Sequence, residues 1–173
     1  MPTIHLVEGP VGAGKSTHAA GLSRQFNAPR LILDEWMVVL FRPDRPQHEF
    51  MTWYENRKHR CIEQIWRVAG DILDTGSDVV LELGLVQQVL REDFYQRVDA
   101  TGFDLQVWVV DAPREVRRER VRARNREQGA TYQMEVSDEI FDLADAAWQP
   151  PDDREETDRI IHHVASHAET QIR

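Results

Sequence analysis

The sequence predicts an α/β domain of three layers, a five-stranded and mostly parallel sheet with helices on both faces. Short apolar runs alternate along the chain with longer stretches whose apolar residues recur at helical spacing. Most of the apolar runs end at a glycine or an acidic residue, and each is followed by enough chain for a helix. That is the connection parallel strands require, because a tight hairpin can join only antiparallel ones.

The elements follow in order. Residues 4–8 (IHLVE) form a short apolar run before a glycine, suited to a buried parallel strand. Residues 15–26 read as a helix with Ala19, Leu22 and Phe26 on one face. A second strand covers residues 31–33 and is ended by Asp34, and a stretch rich in proline and charge at 42–48 breaks the pattern. A long helix is expected over 51–74, with Trp53, Cys61, Ile65 and Val68 at helical spacings. A third strand follows at 78–83, a helix at 92–100 ended by Thr101-Gly102, and a fourth strand at 105–110. Pro113 suits the first turn of a helix over 114–126. Another helix is expected over 137–148, stopped by Pro150-Pro151, and Ile160-Ile161 mark a weak fifth strand. With no internal repeat and no long linker, residues 1–173 read as one domain, with a polar tail after about residue 164.

At 173 residues, 41% hydrophobic and 29% charged, the composition is that of a globular domain with a proper core. No apolar run approaches the ~18 residues needed to cross a bilayer, and no signal peptide is visible, so the expectation is a cytoplasmic protein without a membrane partner. Cys61 is the single cysteine and reads as a buried small hydrophobe. The net charge is −9, and Lys15 and Lys58 are the only lysines. Tracking a nucleic-acid backbone needs a basic stripe, so this balance argues against general nucleic-acid binding. His162 and His163 read as an exposed pair and not as a zinc site.

Residues 9–17 (GPVGAGKST) fit G-x-x-x-x-G-K-[ST] without departure. A chance match in a chain of this length has odds on the order of 1%, and the strand before it and the helix after it reduce those odds further. Glycines let backbone N–H groups turn inward around a phosphate, and the helix start adds its positive dipole end. Gly9, Val11, Gly12, Ala13, Gly14, Lys15, Ser16 and Thr17 are therefore the expected ATP-binding residues. Lys15 reaches the β- and γ-phosphates, and the Ser16 hydroxyl is the expected Mg²⁺ ligand.

Two strands end in carboxylates. Asp34 lies 18 residues after Ser16, too early for the metal strand of hydrolytic ATPases. It is expected on the acceptor side, accepting or orienting the proton of an attacking hydroxyl. Glu82 occupies the later position and is expected near Mg²⁺, acting through water, or near the acceptor. Seven arginines lie between 114 and 126. Their guanidinium groups suit the spread charge of a transferring phosphoryl group. Arg120 and Arg124 are the candidates for catalysis, and Arg117 and Arg120 for nucleotide binding. The segment from about 117 to 136 reads as an arginine-rich lid.

Four segments, GPVGAGKST at 9–17, LDEW at 33–36, VVLELG at 79–84 and VDAPREVRRERVRARN at 110–125, together resemble the small P-loop kinases. That family includes polynucleotide 5′-hydroxyl kinase, chloramphenicol phosphotransferase and zeta toxin, in the branch often described as AAA-type ATP-binding proteins. The resemblance spans roughly residues 2–165 and implies a P-loop NTPase fold with a strand order like that of adenylate kinase. It also implies an acceptor-side role for Asp34 and a lid role for Glu119-Arg120 and Arg124. Two departures stand out. Trp36-Met37-Val38 replace the basic residue that polynucleotide kinases carry after the acceptor Asp, and Glu82 stands where relatives carry Asp.

The expected activity is thus transfer of the γ-phosphate of ATP, with Mg²⁺, to a hydroxyl of a small molecule, with Lys15, Asp34, Arg120 and Arg124 catalytic. Trp36, directly after the proposed base, is expected to line the acceptor pocket with Asp34 and Glu82. Two alternatives stay open, an ATPase or nucleotide-dependent switch without a small acceptor, and a nucleoside or 5′-hydroxyl nucleic-acid kinase.

Overall fold

A computed structural model describes residues 1–127 and 135–166. Its centre is a five-stranded sheet built from β1 (Thr3–Glu8), β2 (Arg30–Ile32), β3 (Val79–Glu82), β4 (Asp104–Asp111) and β5 (Ile161–Ala165). The strand order is β2-β3-β1-β4-β5, and every pairing is parallel. β1 is therefore central, with Leu6 opposite Leu81 of β3 on one side and Val107 of β4 on the other. The chain leaves β1 toward one edge and later crosses to the other, which opens a crevice at the carboxyl ends of the strands.

Alternation along the strands divides the interior into two cores. Ile4, Leu6, Val79, Leu81, Val107 and Val109 point to one face, where they meet α3 (Phe50–Asp74) and α4 (Gln88–Asp99). The buried stripe of α3 is Cys61, Ile65, Ala69 and Leu73, spaced four residues apart. Full burial of Ile65 or Leu73 contributes about 1.5–3 kcal/mol each. Trp66 of α3 packs edge-on against Phe94 of α4 at 5.6 Å, as expected of a core aromatic. On the opposite face Val7, Val80 and Val110 meet Ala19 and Leu22 of α1 (Lys15–Phe26).

Several boundaries differ from those expected. The second strand stops at Ile32, and α2 (Leu33–Phe41) starts at once, so Asp34 lies in a helix. A 3₁₀ turn (Arg42–Asp44) then occupies the proline-rich stretch. α4 begins four residues before the expected start. α7 (Asp153–Asp158) was not expected and is held by an Asp152–Glu155 capping box. α5 (Arg114–Glu127) and α6 (Asp138–Ala147, capped by Ser137) lie close to expectation. The fifth strand reaches Ala165, and Ser166 N–H donates to Asp111 O at 2.8 Å, so the chain stays attached to the sheet past residue 164. His162 is half-buried and stacks on Trp108 at 4.1 Å, so of the two histidines only His163 is exposed. Residues 128–134 of the expected lid and 167–173 of the expected tail lie outside the described residues. No described helix is long and apolar enough to cross a membrane.

Candidate functional site

The loop between β1 and α1 is pinned by close backbone approaches. Gly9 has φ +144°, and a Cβ there would lie 2.1 Å from Val110 O. At Gly12, φ is +76° and a Cβ would meet Arg117 O at 2.6 Å. Any side chain at either position would push the loop off β4 or α5. Ala13 is fully buried, Val11, Gly14, Lys15 and Ser16 are half-buried, and Thr17 is exposed. Lys15 Nζ donates to Pro10 O at 3.0 Å. The first turn of α1 contains no acidic residue, so its dipole and Lys15 together offer an anion site.

Ser16 Oγ donates to Glu82 Oε2 at 3.1 Å. Glu82 ends β3 beside β1 and is buried, and burial holds its carboxyl above the ordinary value against the opposing pull of Lys15 and the Ser16 hydrogen bond. Asp34 and Glu35 add to the upward push, so both carboxylates of α2 act on Glu82. Lys15, Ser16, Glu82 and Asp34 thus gather at the carboxyl ends of β1, β3 and β2. A hydroxyl beside a buried carboxylate is a hard oxygen donor set of the kind Mg²⁺ takes. Among the described residues no group of three or more His, Cys, Asp or Glu is arranged to hold a metal by itself.

Asp34 is exposed in the first turn of α2 and makes no capping hydrogen bond there. Tyr54 of α3 lies within electrostatic reach of it. Burial, followed by the charge of Asp34, pushes the Tyr54 phenol up to about 12. No local sequence signal pairs Tyr54 with Asp34, because the two residues are twenty positions apart. Trp36 is half-buried and packs against the main core.

The arginines of α5 divide. Arg117 is buried; its Nε donates to Ala112 O at 2.9 Å and its Nη1 to Val11 O at 3.2 Å, while Nη2 lies 2.7 Å from Asp145 of α6. Its donors thus brace the phosphate loop from behind. Arg120 Nη1 reaches Ala13 O at 3.3 Å and Ser166 Oγ at 2.9 Å, at the flank of the loop. Arg124 lies one turn further along α5 and is half-buried.

The chain matches the family described as "AAA domain" over residues 4–151. No curated protein matches it. Among solved structures, a candidate kinase from Chloroflexus aurantiacus J-10-fl superposes with a TM-score of 0.74 at 19% identity, covering 99% of this chain and 92% of that one. A gluconokinase from Sinorhizobium meliloti 1021 gives 0.60 at 16% identity, with 96% and 85% covered. The Pnkp1/Rnl/Hen1 RNA repair complex gives 0.65 at 19% identity, covering 84% of this chain and 43% of the other. With a phosphate loop of this geometry on a 2-3-1-4-5 parallel sheet, the chain shares its fold with these kinase structures, and it belongs to the AAA-domain family.

Proposed function

We propose that the protein is an ATP-dependent kinase that moves the γ-phosphate of ATP onto a hydroxyl of a small molecule. The observation that carries this reading is the division of labour between two carboxylates, Glu82 at the end of β3 and Asp34 in the first turn of α2. Glu82 is buried against Ser16, while Asp34 is exposed beyond the phosphate loop and acts electrostatically on both Glu82 and Tyr54. A carboxylate outside the nucleotide loop can accept or orient the proton of an incoming hydroxyl, and that placement of Asp34 supports the kinase reading.

The loop N–H groups and Lys15 hold the β- and γ-phosphates. Ser16, with Glu82 through water, would hold Mg²⁺, which would supply charge neutralisation at the phosphates. Asp34 accepts or orients the proton of the acceptor hydroxyl, whose oxygen forms the new bond to phosphorus as the bond to ADP breaks. Arg120, with Arg124 beside it, meets the charge of the transferring group from the α5 side, and Arg117 keeps the loop in register. Trp36 borders the acceptor side next to Asp34.

The net charge of −9 supports a small acceptor over a polynucleotide. The fold likeness to a gluconokinase and to an RNA repair protein is compatible with either. The test is a product screen over sugars, nucleosides, other alcohols and 5′-hydroxyl oligonucleotides, run on wild type and Asp34→Ala. The variant should bind ATP normally and lose acceptor-dependent phosphorylation by about 10²-fold or more. Loss of ATP binding in that variant, or hydrolysis that no acceptor stimulates, would sink the kinase reading.

A further inference from the structure

Beneath the phosphate loop lies a buried charge cluster to which the reaction above assigns no role. Glu8 is the last residue of β1, directly before Gly9, and is 3% exposed. Both of its carboxylate oxygens are buried without a hydrogen bond among the described residues. Its nearest cation is Arg91 of α4, at 3.5 Å. That guanidinium is fully buried and already engaged. It donates in parallel to Glu155 of α7 at 2.7 and 2.8 Å, and its third nitrogen donates to Gln149 O at 2.8 Å. Two acidic side chains therefore share one guanidinium, and Glu8 is the one it does not hydrogen-bond.

The other charged or titratable groups facing Glu8 are Glu155 of α7, the buried Tyr95 phenol of α4, and Lys15 of α1. Lys15 and Glu8 line the same small cavity, about the size of one water molecule, closed by Gly84 and Trp148. Burial pushes the Glu8 carboxyl up to about 8, opposed by Arg91 and Lys15 and reinforced by Glu155. With Arg91 neutralised by Glu155, Lys15 is the cation whose position can change when phosphates bind.

We propose that Glu8 is a proton-coupled positioning residue for Lys15: as nucleotide phosphates claim the lysine, the Glu8 carboxylate takes one proton from solvent and becomes a neutral acid. This rests on the loop being a nucleotide site. In the free protein the Lys15 charge favours the ionised carboxylate. In the complex the phosphates offset that charge, and the carboxyl titrates at a higher pH than in the free protein. Below the free-protein value Glu8 is protonated in both states, and binding takes up nothing. Above it, binding takes up as much as one proton, and affinity falls by at most about tenfold per pH unit through that window. The neutral acid then leaves the full charge of Lys15 to the phosphates.

Calorimetry of ATP binding at about pH 8.5, in buffers of different ionisation enthalpy, reads the proton directly. Wild type should take up a substantial fraction of a proton. Glu8→Gln should lose that uptake and show a nearly flat affinity between about pH 7.5 and 9.5. Equal uptake and equal pH slope in both proteins would overturn the proposal, as would no uptake in wild type. Should Glu8→Gln fail to fold, difference infrared spectroscopy in a Glu82→Gln background decides instead. A carboxylic-acid C=O band that appears with nucleotide supports Glu8, and its absence overturns it. Failure to bind ATP at all sinks the nucleotide reading as well, whereas binding without proton uptake sinks only the role of Glu8.

Discussion

The two sides of α5 use the same residue type for opposite purposes. On one side Arg114, Arg117, Arg118 and Arg122 meet Asp138, Asp142 and Asp145 of α6. The aspartates are spaced i, i+4, i+7 and so share a helix face. The first three of these guanidinium groups also lie over the fully buried Phe141 ring at 4.8–5.8 Å. On the other side Arg120 turns to the phosphate loop and to Ser166. Arginine density along a helix therefore does not identify a lid by itself. What separates scaffold from site is whether a facing helix supplies carboxylates.

The largest expected effect is on the scaffold side. Phe141→Ala should destabilise the fold by about 3–5 kcal/mol, read by urea or thermal unfolding, because it empties the contact on which three arginines rest. A loss below about 1 kcal/mol would mean that α6 is not what holds α5. Arg120→Ala should do the reverse, lowering kcat/KM by about 10²–10³-fold with an unchanged unfolding midpoint. If it melts early and turns over normally, the two sides of the helix are not distinct.

Asp145→Asn tests the seam between them. Burial alone would raise this carboxyl, but hydrogen bonds from Arg117 and Arg114 outweigh that and hold it below the ordinary carboxylate value. The pair's stabilisation is therefore full above the unfolded-state value and is lost as pH falls through the lower folded-state value. The Asn variant should be about 1–3 kcal/mol less stable at neutral pH, and the gap should close on acidification. A gap that persisted at low pH would assign the loss to packing. At the small end, Asp138→Asn weakens an exposed ion pair to Arg122 and a longer one, at 3.7 Å, to half-buried Arg118. Its melting at physiological salt should match wild type.

Legibility from sequence followed distance along the chain. The phosphate loop and α1 were readable because glycine spacing and the following helix are local. Leu33–Phe41 was missed as a helix because it follows β2 without a turn or a capping side chain. α7 is too short and polar for periodicity, although its D-x-x-E capping box is visible in the sequence. The partition of the α5 arginines depended on α6, and that of Glu8, Arg91 and Glu155 on three elements 64 or more residues apart.

By itself, the sequence determined the alternation of strands and helices, the phosphate loop, and the residue types available to it. Those are consequences of backbone sterics and of periodicity over a few residues. Only the tertiary structure decided that Ser16 bonds Glu82, that Arg117 is a brace and Arg120 a neighbour of the loop, and that Glu8 is a buried carboxyl group without a hydrogen bond among the described residues. A charge's role depends on which other charges share its burial, and burial is a property of the packed sheet and its helices.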